Sequence, residues 1–342
     1  MLWAITGMCI SLLLIFPKEI RNGASNGIFL CLQVLIPSLF LFMILAGFIV
    51  RSGLASRIPK FIVKIFGRLF GLPSACCSVI FLSLLGGYPV GAAIIDNLYK
   101  TGVLGNKESE RMCMFCVCAG PGFLVTYIGA VMTRNLSLGY ILLCSQIISL
   151  VISGIIARLT INPQSTPSTA KANIKEPIVI KDALVSSVSD AIRSCVRMCA
   201  LVVIFSSLSE VFITLTKGNS ALIWITALIE ITNGIKIIAE GYPTALIAFV
   251  CGFGGLCVHF QIFDILRDIK FSKCNFFIFR ILQGVLCALS TYILLKFYPI
   301  TESVFSTVKN GHTTVYTTSV GCIILIATCL MFLICIREKK CE

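Results

Sequence analysis

Several stretches of this chain combine backbone-breaking residues with groups able to hold a small molecule. Ser83-Leu84-Leu85-Gly86-Gly87-Tyr88-Pro89-Val90-Gly91 puts glycines and a proline inside an apolar block. A helix cannot run through it unbroken, and a half-helix beginning after Pro89 would aim its amides and positive dipole end at an anion. Ala119-Gly120-Pro121-Gly122 repeats the interruption in the next block. Further on, Glu230, Thr232 and Asn233 set a carboxylate, a hydroxyl and an amide at the centre of another apolar stretch. A carboxylate there is costly unless protonated, paired or hydrated. Gly252, Gly254 and Gly255 permit close backbone approach, and His259 and Gln261 add polar groups to the same block. Such groups bind and orient a ligand through hydrogen bonds and dipoles. Only two histidines are present, His259 and His312, and no HExxH, GxSxG or paired-carboxylate motif. The residues therefore do not suggest an enzyme.

Each feature also has a plainer reading. The glycines could serve helix packing, Glu230 could sit in a shallow, wetted hairpin, and His259 could simply bond a carbonyl. Cys113, Cys116 and Cys118 form a CxxCxC cluster, but no second Cys or His pair faces it in sequence, so neither a metal nor another cofactor is expected.

The elements that must position these residues are membrane spans. The chain has 342 residues, 57% hydrophobic and 13% charged, against about 25% charged in soluble domains. Apolar blocks near the length of a spanning helix run over Ile28–Val50, Met112–Met132, Leu138–Ile156, Val196–Leu215, Thr244–Phe263 and Phe276–Leu295. A short first span, Met1–Phe16, lacks signal-peptide features, and Ser319–Ile336 makes the eighth. Ser74–Tyr99 and Ala221–Ala239 are broken in their middles and read as re-entrant hairpins. Basic residues spaced among apolar ones over Arg51–Gly71 predict an interfacial amphipathic helix on an anionic leaflet. In the loop before Met112, Asn106 reads as a helix N-cap.

The formal charge of +13 is an orientation signal, with no nucleic-acid partner implied. With both termini in the cytoplasm, most of the 28 Lys and Arg lie inside, and Lys236 and Arg280 remain within membrane segments. The eighteen cysteines fall mainly in apolar blocks and suggest no disulfide framework. The fold class is thus an all-α polytopic membrane protein with about eight transmembrane helices, two re-entrant hairpins and an interfacial helix. The linker Asn162–Asp182 separates halves with the same order of elements, an inverted repeat. The expected divisions are 1–27, a first span and loop; 28–161, repeat one; 162–193, a linker; 194–299, repeat two; and 300–342, an outer loop, last span and basic tail.

Five motifs in order, GGYPVGA (Gly86–Ala92), KESERM (Lys107–Met112), AGPGF (Ala119–Phe123), EITNG (Glu230–Gly234) and GFGGLCVHFQI (Gly252–Ile262), resemble the sporulation integral membrane proteins of YlbJ type. These belong to a wider group with a nucleoside-recognition or gate domain. The resemblance implies a fold similar to concentrative nucleoside transporters and a part in endospore formation. Its implied task is moving dipicolinic acid across the outer forespore membrane, with the chain embedded in a lipid bilayer and a homo-oligomer left open. Carried onto this sequence, Gly87, Tyr88, Pro89, Gly120, Pro121, Glu230, Thr232, Asn233, Gly255, His259 and Gln261 would line or shape the site. One departure stands out: the family often has an Asn shortly before its Gly-Pro, where this chain has Val117 and Cys118. The leading expectation is a transporter of a small planar anionic metabolite working by alternating access. The alternatives are transport of a nucleoside or another small metabolite, and a non-transporting assembly or signalling protein of the spore envelope.

Overall fold

The computed structural model describes residues 11–12, 14–52, 60–72, 75–100, 102–161, 180–239 and 242–299. The eighth span and most of the first lie outside them, as do most of the linker and Arg57. Every element among the described residues is helical. Five helices are long and apolar enough to cross a membrane: Pro17–Arg51 (α1), Leu136–Thr160 (α7), Ile180–Leu215 (α8), Thr244–Ile265 and Lys273–Phe297 (α13). The shorter helices are Lys60–Phe70 (α2), Ala75–Gly86 (α3), Tyr88–Lys100 (α4), Asn106–Phe115 (α5), the π-wound Gly122–Met132 (α6), Ile225–Ile229 (α9) and Ile231–Ile238 (α10). Thr244–Ile265 is itself divided, into Thr244–Phe253 (α11) and Gly255–Ile265 (α12). The order of a long helix, two broken pairs and a long helix occurs twice: α1, α3–α4, α5–α6, α7, then α8, α9–α10, α11–α12, α13.

The helices differ from the apolar blocks in instructive ways. Helix α1 begins at Pro17, well before Ile28, because proline at the first helical position leaves an already unpaired amide out of the helix. Helix α8 begins at Ile180 and runs for 36 residues, about 54 Å at 1.5 Å per residue. A hydrocarbon layer of about 30 Å cannot cover it, and its first turns bring Asp182, Asp190 and Arg193 onto the helix. The expected span Met112–Met132 is not one helix. It stops at Phe115, unwinds through Cys116–Gly120 and resumes beyond Pro121. The expected span Thr244–Phe263 is interrupted at Gly254, whose φ of 92° is left-handed. Gly105, not Asn106, precedes α5: its N–H donates to Glu108 Oε2 at 2.9 Å, while the Asn106 side chain bonds the backbone of Lys270.

Packing uses small and polar residues, as it must where lipid supplies no hydrophobic drive between helices. Gly23 and Gly27 let α1 lie directly on α8; a Cβ on Gly23 would sit 2.5 Å from the Ser207 Cα. Helices α7 and α13 are joined by Ser149 Oγ to the Gln283 carbonyl (2.9 Å), Gln283 Nε2 to Ser153 Oγ (2.9 Å) and Thr291 Oγ1 to Ser145 Oγ (2.8 Å). Outward faces carry exposed leucine, isoleucine and valine, among them Leu41, Val196, Ile204 and Leu289, a surface suited to lipid tails. Helix α2 turns Phe70 inward against Phe115 and leaves Lys64, Ile65 and Arg68 exposed, in keeping with an interfacial position.

Candidate functional site

The site grows from the four interruptions. At the first, Gly87 adopts φ 79° between α3 and α4, a conformation open to glycine at little cost. At the second, Gly120 ends the unwound stretch before α6. The two touch: a Cβ on Gly120 would lie 2.9 Å from the Gly87 nitrogen and 3.1 Å from the Leu85 carbonyl oxygen. At the third, Glu230 is extended between α9 and α10, and its carboxylate accepts from the amides of Thr232 (2.9 Å) and Asn233 (2.6 Å). It is the N-cap of α10, fully buried, with its charge at the positive end of that half-helix. At the fourth, Gly254 and Gly255 turn α11 into α12 and bring Gly255 beside the Ile231 amide.

Several carbonyls at and near the breaks are met by side chains. Tyr88 donates its hydroxyl to the Cys251 carbonyl and Tyr127 to that of Thr232 (2.8 Å). His259 Nε2 lies 2.8 Å from the Phe253 carbonyl oxygen, its ring held edge-on by Phe253, Phe276 and Phe277. Arg280 donates to the carbonyls of Met114 and Val117 at the end of α5, over the Phe276 ring, and Gln283 Nε2 donates to that of Phe115 at 3.0 Å. Arg111 does the same for α2, donating to Phe70 (3.0 Å) and Gly71 (2.6 Å). Helix breaks at membrane depth persist because their freed groups find such partners.

Between the breaks lies a small cavity of about 40 Å³, enough for a few waters. Gly87, Tyr88, Pro89, Gly120, Glu230, Thr232 and Gln261 line it, together with apolar walls from Leu35 and Leu39 of α1 and Met198 and Val202 of α8. Seven of the eleven residues singled out in the sequence therefore meet in one place. The other four are placed differently. Pro121 follows Gly120 as the start of the next helix, Asn233 contributes its amide to Glu230, and Gly255 supports the Glu230–Ile231 corner from behind. His259 does not line the cavity; it caps α11 within an aromatic cage. Among the described lining residues there is one carboxylate and no Lys, Arg or His.

Sequence reasoning placed Arg280 within a membrane segment without giving it a role, and passed over Gln283 and Tyr127. Arg280 carried a usable signal, a cation inside an apolar span, which is an invitation to look for its partners. The cysteine cluster is buried, and among the described residues no three His, Cys, Asp or Glu gather as a metal site.

Residues 32–134 match the family model described as "Gate: Nucleoside recognition", a stretch that includes both first-half breaks. Over 321 residues the chain is 24% identical to "Sporulation integral membrane protein YlbJ" of Bacillus subtilis, covering 82% of this chain and 78% of that protein. Both findings agree with the resemblance carried by the five motifs. No solved structure gives a significant match.

Proposed function

We propose that this protein is a transporter that moves a small planar metabolite, dipicolinate foremost, across a membrane of the developing spore. Two halves of inverted topology, each with a re-entrant broken hairpin, alternate access to the cavity between them; both termini lie in the cytoplasm and the membrane is the outer forespore membrane. The observation that carries this reading is the meeting of residues from three helix breaks at one cavity, with the fourth break against its Glu230–Ile231 wall. A helix break at membrane depth is tolerated where protein or a cavity takes up its polar groups, and transporters place their substrates at such points.

The chemistry of the cavity sets a condition on an anionic substrate. The amides of Thr232 and Asn233 are already taken by Glu230, so neither is free at the start of α10 for a substrate carboxylate. The first turn of α4, where Tyr88 carries an amide N–H and Pro89 none, remains beside the cavity as the anion-facing end. A dicarboxylate entering near Glu230 needs a cation or proton with it, because like charges in a dry site repel strongly. Uptake of labelled dipicolinate into proteoliposomes, with and without imposed Na⁺ and proton gradients, tests this. Uptake dependent on one gradient supports the reading; no binding and no uptake, while a dipicolinate-transporting relative works in parallel, overturns it.

A second reading has its own support: a nucleoside or other uncharged metabolite, whose hydroxyls would find Glu230, Thr232 and Gln261 without a charge conflict. Competition between nucleosides and dipicolinate in the same assay separates the two. A non-transporting envelope protein would instead tolerate Glu230→Gln and Asn233→Ala without loss of function.

A further inference from the structure

The cavity is not isolated. A second cleft of about 110 Å³ lies between α1, α4 and α8, bordered by Gly47 and Arg51, by Pro89 and Ala93, and by Asp190 and Ser194. A smaller space joins α8 to α12 at Ser194, Arg197, Met198, Gln261 and Asp264. Pro89 is common to all three spaces. Met198 and Gln261 are shared by the cavity and the smaller space, and Ser194 by that space and the outer cleft. The three spaces therefore adjoin one another between Glu230 and the charged ends of α1 and α8.

Two ion pairs stand along that line, both made by α8. Arg51 of α1 pairs with Asp190, and Arg197 pairs with Asp264 of α12 at 3.4 Å. Their side chains are 33–66% exposed. Exposed pairs of this kind are weakly held and screened by salt. Exchanging the aspartate for a substrate carboxylate keeps each guanidinium paired and leaves the aspartate in water, so the exchange meets no desolvation barrier of its own. The pairs Lys100–Asp268 and Lys107–Glu110, by contrast, border none of the three spaces.

We propose that substrate enters and leaves the cavity through this vestibule, past Pro89, and that Arg51 and Arg197 receive its carboxylate on the way, each held ready by Asp190 or Asp264. This rests on the transport reading above and deepens it: it assigns a path, a side and two specificity residues for an anion. It also places two guanidinium groups, each paired with an aspartate, outside a cavity that has none.

The test uses full-length Ser194→Cys in proteoliposomes, with Ala93→Cys in the same cleft as a second reporter should the first not fold. Small thiol reagents of matched size, one anionic and one cationic, are applied from each side, and modification is mapped to the residue by mass spectrometry. The expected result is modification from the face bearing Arg51, several-fold faster for the anionic reagent. That preference should be lost in Arg51→Gln/Arg197→Gln and retained in Arg51→Lys/Arg197→Lys. A preference that survives the double Gln variant, or modification of neither reporter from that face, overturns the proposal. The assay involves no transported substrate, so absent dipicolinate uptake with an intact anionic preference would count against the substrate and leave the vestibule standing.

Discussion

The two halves solve the same problem, a helix broken inside the membrane, by different means. In the first half, the breaks at Gly87 and Gly120 touch backbone to backbone, and the exposed carbonyls of α5 are closed by Arg280 and Gln283 from the second half. In the second half, Glu230 closes the amide end of α10 from within its own loop, and Tyr88 and Tyr127 of the first half close carbonyls of Cys251 and Thr232. At the breaks, Arg280, Gln283, Tyr88 and Tyr127 thus reach carbonyls across the halves, whereas His259 and the Glu230 carboxylate cap locally. Each half is incomplete without side chains of the other, but only the second brings a fixed negative charge to the cavity.

That contrast can be broken at three points. The largest effect is expected from Arg280→Gln. Hydrogen bonds from a charged donor contribute about 1.5–3 kcal/mol each, and two are lost here, so unfolding in detergent should show a loss of about 3 kcal/mol or more. Arg280→Lys should recover part of it; equal loss in both variants would mean the fork geometry, not the charge, holds α5. Glu230→Gln comes next. It replaces a charged cap by a neutral one, with an expected cost of about 1 kcal/mol in stability, but uptake should fall at least tenfold. If stability falls and uptake does not, Glu230 is a cap alone and the asymmetry between the halves has no functional meaning. Tyr88→Phe should have the smallest effect, about 1 kcal/mol for one neutral bond to the Cys251 carbonyl, read as a modest drop in melting temperature. A loss as large as that of Arg280→Gln would show that the two cross-half caps are equivalent after all.

What could be read in the sequence follows from which physical signals are local. The break at Gly87 announces itself through two glycines and a proline in an apolar block, and Gly120-Pro121-Gly122 does so again. Glu230 stands out because a carboxylate has no ordinary place there. The break at Gly254 is harder to see, since glycines without proline read equally well as close packing; only the left-handed turn distinguishes them. The starts of α1 and α8 were hidden because hydropathy marks only the part of a helix that lipid covers, and both helices run beyond it. The partners of Arg280 were out of reach for a different reason. They lie 163 and 166 residues away in the chain, and no periodicity or spacing links a cation to carbonyls freed that far off. The same holds for Asn106, whose contact with Lys270 displaced the capping role that its local sequence suggested.

The bonds from Glu230 to the first amides of α10 have one more implication. A carboxylate fastened to the start of a half-helix moves as that half-helix moves, so any excursion of α10 between the two faces would carry the charge along unless a cation or proton travels with it. Displacing one elementary charge through the full membrane field involves about 2.3 kcal/mol per 100 mV. With Glu230 ionised, a turnover cycle built on this element would be electrogenic in its unloaded step, and its rate would depend on the membrane voltage.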